Sequence, residues 1–446
     1  MFSCKKNSTE NAQNIADYAI TQVTLIDGTG KEAVPGATIL IKDEKILAIV
    51  NVSTEIMADS IINGKGKYVI PGLFDNHIHL GNDETKFQRQ MDQLIHFGVT
   101  TILVPGADNQ KLLRYKSANK EKGLQAPNIY HTSLMTTMKG KHPAKTYGDS
   151  IYFDGININY IKDESSIGPI VKQAVEDKAI AVKLMIEDGP MPPFVKRIPE
   201  DYVALMSEKA HESGLDLFAH VSDKTEAEIA VNNDADAIMH FFPLDWEKDT
   251  AIIQKIIDKN ISLVSTAMLA KSFFYPINRE WFENENYAVF DSDQKEAFND
   301  SDGSKEAESR AILKMITRSE NPKLDMIIPL FDNLKKFYDR GTNVVLGTDV
   351  RGRPYIFPGH RVHEEMELFQ MAGFKPEQII QCASLNSARM LKIDESYGSV
   401  EPGKYADLIL LDRNPLENIN NTLSINTVFK QGKIQNRITN ANNGYK

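Results

Sequence analysis

Apolar and polar positions follow two different periods along this chain, and the change of period divides it. Near the start, Tyr18 to Asp27, Ala37 to Lys42 and Lys45 to Val50 carry short, β-branched runs that read as strands. Asp27-Gly28, Pro35-Gly36 and Asp43-Glu44 punctuate them as turns. Toward the far end, Ala406 to Asp412 and Ile425 to Lys430 read as strands again, followed by a turn at Gly432. Both ends are therefore β-rich. The simplest arrangement is a small β-sandwich domain built from both termini, residues 18–70 plus 396–446. Residues 71–395 would then be inserted as one domain, and residues 1–17 would be a disordered or tether segment.

The inserted part alternates strand and helix patterns. Apolar strands are expected at Val69 to Phe74, Gly98 to Val104, Asn128 to Thr132 and Ile180 to Ile186. Four more are expected at Leu215 to His220, Ala235 to His240, Ile261 to Ser265 and Val344 to Gly347. Helical spacing appears at Lys86 to Phe97, Ile167 to Asp177, Glu200 to Ser213, Lys224 to Asn232, Leu324 to Arg340 and Gln378 to Leu391. Eight strands alternating with helices predict an α/β fold, a (β/α)8 TIM barrel with insertions. The alternative is a doubly wound open sheet. No Gly-x-Gly-x-x-Gly or P-loop pattern follows a strand, which counts against it. The long stretch before the eighth strand holds Phe273-Phe274-Tyr275 and Trp281-Phe282. It reads either as a substrate-covering element or as a satellite core.

Composition narrows the partners. A length of 446 residues suits one large domain and a smaller one. The net charge is -10 and no Lys/Arg block stands out, so nucleic acid is not an expected partner. No apolar run reaches the roughly 18 residues of a membrane span. The two cysteines, Cys4 and Cys382, cannot build a disulfide framework, and Cys382 reads as a small buried residue. Met1-Phe2-Ser3-Cys4-Lys5-Lys6 resembles the cleavage end of a bacterial lipoprotein signal, though no apolar run stands ahead of it here. A lipid anchor at Cys4 would place the protein in the periplasm or cell envelope. A plain disordered terminus would leave it cytoplasmic.

The chemistry concentrates at the predicted strand ends. Pro71-Gly72-Leu73-Phe74-Asp75-Asn76-His77-Ile78-His79-Leu80 reads as a strand closing in two histidines one residue apart. Alternate strand residues face the same way, so His77 and His79 can hold one metal ion. The fourth strand carries Lys183, the fifth ends at His220, the sixth at His240 and the eighth at Asp349. Functional residues of a barrel sit at those ends. Four of the chain's ten histidines fall there.

This pattern resembles the amidohydrolase superfamily over nearly the whole chain. The first-strand motif, His220 and His240, Gly347-Thr348-Asp349, and Gly398-Ser399-Val400-Glu401-Pro402-Gly403-Lys404-Tyr405-Ala406-Asp407-Leu408 carry the resemblance. It implies a binuclear metal hydrolase. His77, His79 and Asp349 would hold one ion, and His220 and His240 the other. Lys183 matches the bridging position of the family's carbamylated-lysine class. An unmodified lysine is cationic at neutral pH and repels a metal, whereas its carbamate is an anion with two oxygens. The bland reading pairs Lys183 with Glu187 or Asp188. The ions expected are Zn2+, two per chain, with Mn2+ or Co2+ as alternatives. A metal-activated water would attack a carbonyl, with Asp349 moving its proton.

Three residues are candidates for substrate contact. His142 follows the third strand, and Arg351 and Arg353 follow Asp349, where an arginine could clamp a carboxylate. His363-Glu364 resembles a His-x-Glu stretch of prolidase-like dipeptidases that supports the site. The expected substrate is a small molecule with an amide bond, a dipeptide or an N-acyl amino acid. The alternatives are a mononuclear, imidazolonepropionase-like cyclic-amide hydrolase or deaminase, or a lactonase. Deaminase members often carry a Glu shortly after the fifth-strand His, and here Asp223 stands three past His220. A non-catalytic interaction module would be expected to have lost ligands. A homo-oligomer is compatible with the sequence.

Overall fold

The computed structural model describes residues 16–51, 57–80, 84–106, 109–123, 125–189, 194–240, 242–278, 281, 303–351 and 357–438. Cys4 and Arg353 lie outside these residues, as does the side chain of Arg351. Among the described residues, no helix is long and apolar enough to cross a membrane.

Strands from both ends of the chain share one sheet. It holds Ala16–Leu25, Val34–Lys42, Lys45–Asn51, Ala58–Asn63, Tyr68–Pro71, Leu408–Leu411, Ile425–Lys430 and Lys433–Ile434. The seam between the termini is the antiparallel pair Tyr68–Pro71 and Leu408–Leu411, with Ile70 opposite Ile409. Ile20, Val23, Ile39, Val69, Leu408 and Phe429 pack there as a separate apolar cluster.

The central sheet is curled and parallel. Its eight strands are Leu73–Asp75, Val99–Gly106, Asn128–Met138, Ala181–Met185, Asp216–His220, Ala237–Met239, Ser262–Val264 and Val344–Val345, each beside its predecessor. The eight expected strands appear in the expected order, with boundaries shifted: the third runs on from Thr132 to Met138, and the sixth and eighth are shorter than expected. The run Val69 to Phe74 splits at Gly72, so Tyr68–Pro71 serves the terminal sheet and Leu73–Asp75 starts the parallel one. A Cβ on Gly72 would lie 2.2 Å from Thr100 Oγ1, so only glycine fits this crossing. Ile158–Ile161 is a further short strand, parallel to Asn128–Met138, that the pattern did not reveal.

The two edges of this sheet meet just beyond their strands. Asn76 N donates to Leu346 O at 3.1 Å and Asp349 N donates to His77 O at 2.7 Å. Val350–Arg351 then pairs in parallel with Ile78–His79. The first and eighth strand ends, which carry His77, His79 and Asp349, are thereby fastened together.

Strand sequence and burial agree. All eight residues of Val99–Gly106 are buried, as befits a parallel strand covered on both faces. Helix Ile167–Glu176 buries Ile167, Val171 and Ala174, one stripe at helical spacing. Phe74, Leu103, Ala181, Phe218, Met239, Val264 and Val345 fill the inside of the curl. Two expected helices are broken. Leu324 to Arg340 becomes a 3-10 segment, Leu324–Leu330, and a helix, Asp332–Tyr338, because Pro329 cannot continue an α-helix. Gln378 to Leu391 divides into Pro376–Cys382 and Leu385–Met390. Phe274 and Tyr275 are buried, so these aromatics pack as core. Cys382 is buried as well.

Candidate metal centre

The inner face of the parallel sheet builds the site in layers. Ala181 lies inside the curl, so Lys183, two residues on, projects one layer higher on the same face. Phe218 and His220 stand in the same relation. Lys183 is only 2% exposed, and its backbone N–H donates to Ser133 Oγ at 3.0 Å.

His240 reaches the site differently. Met239 already points inward, so strict alternation would aim His240 at the helices. Its φ of 81° turns the chain, and the ring lies with its centroid 4.2 Å from that of His220 and 4.6 Å from that of His77. Asp349 also has positive φ, 51°. Left-handed backbone after the sixth and eighth strands is local strain held in place by the fold, of the kind found at functional sites.

Two groups of potential ligands result. His79 Nε2 lies 3.2 Å and His77 Nε2 3.6 Å from Asp349 Oδ1, with Asp349 and His77 buried. His220 Nδ1 faces His240 Nε2 at 2.9 Å. A separate group joins His142, Glu187 and His220, whose ligand atoms lie within 4.8 Å of one another. Glu187 Oε2 is 3.3 Å from His142 Nε2 and is directly hydrogen-bonded to His220 Nε2.

Buried groups behind these side chains hold them. The Asp75 carboxylate accepts from Thr348 Oγ1 at 2.6 Å, Thr348 N at 3.0 Å and His77 N at 3.2 Å. Burial pushes Asp75 up to about 7, against these hydrogen bonds. Burial also takes the His77 imidazole well below its usual range. Asp349 opposes that shift and the Lys183 charge reinforces it. Neutral imidazole is the form that binds a metal. Glu365 is fully buried and accepts from Ser265 Oγ at 2.5 Å, Ala267 N at 2.8 Å and Met268 N at 2.6 Å. It fixes the turn carrying Thr266, whose Oγ1 lies 2.8 Å from His240 Nδ1.

The sequence expectations sort themselves against this geometry. His77, His79, Asp349, His220 and His240 converge, and Lys183 is buried on the inner face of the same sheet. His142 is buried in the site, not exposed on a loop, with Nδ1 3.1 Å from Thr146 Oγ1. Glu187 was not anticipated as a site residue. It lies two residues past the strand Ala181–Met185, and its partners His142 and His220 come from other strands. Asp188, the other partner considered for Lys183, pairs with Arg197 Nη2 at 2.8 Å. Asp223 caps helix Lys224–Asn232 and pairs with Arg197 at 2.6 Å. His363 bonds Thr422 Oγ1 and Phe97 O, which ties its helix to the rest of the fold. Glu364 joins Arg361 and Tyr275.

The profile of the amidohydrolase family matches residues 68–435. The chain belongs to the amidohydrolase family. Among curated relatives, an adenine deaminase of Desulforamulus reducens is 22% identical over 401 residues, which is 90% of this chain and 55% of that protein. The chain thus spans about half the length of that relative. An imidazolonepropionase of Picrophilus torridus is 36% identical over 80 residues, 18% of this chain and 20% of that one. Among solved structures, a Xaa-Pro dipeptidase with bound methionine superposes with a TM-score of 0.72 at 20% identity. That match covers 94% of this chain and 99% of the dipeptidase.

Proposed function

We propose that this amidohydrolase is a metal-dependent enzyme that cleaves an amide C–N bond of a small substrate, a dipeptide or an N-acyl amino acid. The fold that goes with this reading is a closed (β/α)8 barrel beside a terminal β-sandwich. The observation that carries it is the convergence of five metal-capable side chains, with a buried lysine, at the same ends of the parallel strands.

The donor set fits two divalent ions. His77, His79 and Asp349 supply two nitrogens and a carboxylate oxygen for the first. His220 and His240 supply two facing nitrogens for the second. Lys183 fits only as its carbamate, formed when the neutral amine adds to carbon dioxide and releases a proton. A buried ammonium in this place would repel both ions, whereas the anionic carbamate would offer them oxygen ligands. Imidazole and carboxylate ligands suit Zn2+, with Mn2+ or Co2+ as alternatives. Bound ions would make a water acidic near neutral pH and polarise the scissile carbonyl. Asp349 takes the proton of the attacking water and passes it to the leaving nitrogen. His142 and an arginine at 351 or 353 contact the substrate, the arginine through a carboxylate.

The second reading is a deaminase or cyclic-amide hydrolase, which the likeness to adenine deaminase favours. Against it, Asp223 is spent on a helix cap and on Arg197, and its side chain is 43% exposed. A screen of the metal-loaded protein separates the two. Amino-acid release from dipeptides or N-acyl amino acids supports the proposal. Ammonia release from adenine, or opening of cyclic amides alone, overturns it.

A further inference from the structure

Hydrogen bonds and one close ion-pair contact cross the ends of five consecutive strands in one chain of side chains. Thr146 bonds His142, His142 meets Glu187, Glu187 bonds His220, His220 meets His240, and His240 bonds Thr266. His142, Glu187 and His220 are 1%, 3% and 6% exposed. Glu187 is the one carboxylate in this chain, and it serves two imidazoles.

A carboxylate so placed has two possible roles. It could be a ligand, with His142 and His220, for an ion on the Nε2 side of His220. Alternatively, it could hold His220 from behind while an ion sits on the Nδ1 side. The two ring nitrogens point away from each other, so His220 cannot present one nitrogen to both. Glu187 is hydrogen-bonded to His220 Nε2, the ring nitrogen on the edge opposite the one that faces His240. His240 shows the same pattern, with Nδ1 against Thr266 Oγ1 and Nε2 turned to His220. Both outer nitrogens are held by the protein, and both inner nitrogens face one spot.

We infer that Glu187 is a positioning residue whose carboxylate accepts the Nε2–H of His220, fixes the ring's tautomer and leaves Nδ1 to bind the second ion. This rests on the two-ion reading above. A metal-bound imidazole backed by a carboxylate is held in orientation and made a stronger donor. The same carboxylate receives His142, so the third, fourth and fifth strand ends are braced by one group.

The test uses the full chain, loaded with Zn2+ or Co2+, with Glu187→Gln and Glu187→Ala beside wild type. Near-UV circular dichroism of each confirms folding. The amide oxygen of Glu187→Gln can still accept the Nε2–H, so this variant should keep the second ion within a few-fold of wild-type affinity. Glu187→Ala should lose about 10- to 100-fold for that ion alone. The Co2+ absorption bands should keep their positions in both, because no ligand is lost. If both variants lose the second ion outright and the bands shift, Glu187 is a ligand and the inference fails. It fails equally if Glu187→Ala binds like wild type. A wild-type protein that takes up no second ion overturns the two-ion reading itself, and the inference with it.

Discussion

His220 and His240 face each other with Nδ1 and Nε2 2.9 Å apart, and the outer nitrogen of each is already hydrogen-bonded, to Glu187 and to Thr266. If both outer nitrogens carry the protons, both inner ones are acceptors pointed at one another. A cation resolves that conflict. At the other end of the site Asp349 Oδ1 lies 3.2 Å from His79 Nε2, a nitrogen and a carboxylate oxygen that can share an ion.

Asp349 is assigned two tasks, a metal ligand and the carrier of the water's proton. Asp349→Asn keeps the shape and removes the base. Turnover should fall by about 10²- to 10⁴-fold while far-UV circular dichroism stays unchanged. A steady-state assay on whichever amide the screen identifies checks this, and full activity in the variant would sink the mechanism.

Gly347 lies where the eighth strand passes the first histidine. A Cβ there would come within 2.8 Å of Val264 Cγ1, 2.9 Å of His77 Cβ and 3.1 Å of His77 N. The backbone of His77 cannot yield cheaply. Gly347→Ala should cost about 1–3 kcal/mol in denaturant unfolding and should weaken the ion held by His77. Unchanged stability would mean that this crossing has slack.

Glu365 gives the fold a pH dependence of a defined sign. Burial pushes it up to about 8, although Ser265, Ala267 and Met268 donate to it. Between about pH 4.5 and 8 the folded protein holds a proton there that the unfolded chain has released. The stability from this group is therefore full below that window and declines as pH rises through it. The decline reaches at most about 1.4 kcal/mol per pH unit. Glu365→Gln should flatten that part of the slope in urea titrations at pH 5, 6.5 and 8.

Arg361 is fully buried and meets Glu364 and Tyr275, with its guanidinium 4.0 Å from the Tyr275 ring centre. Burial alone would raise Glu364, but Arg361 and Lys271 hold it below the usual carboxylate range. Glu364→Ala leaves buried positive charge behind and should destabilise by about 3–5 kcal/mol. A calorimetric midpoint within a degree of wild type would contradict this role.

Sequence pattern carried most of the site because strand chemistry is local. The His77-Ile78-His79 spacing, the histidines ending apolar runs and the Gly347-Thr348-Asp349 turn are all readable from neighbours in the chain. Glu187 was not, because its partners His142 and His220 arrive from other strands and meet it only when the sheet curls. Thr266 and Glu365 were hidden for the same reason. Among the elements, Pro329 was a visible break inside an expected helix, and Gly72 a visible break inside an expected strand. The short strand Ile158–Ile161 gave no signal, since four residues are too few for a period. The backbone of Arg351 pairs with His79.

Metal per chain, measured by elemental analysis on wild type and Lys183→Ala prepared side by side, tests the central claim most directly. Lys183→Ala removes the amine that the proposed carbamate requires and leaves every histidine and Asp349 in place. Two equivalents in wild type, falling toward one in the variant, is the predicted result. One equivalent in both would take Lys183 out of the site and contradict the binuclear account.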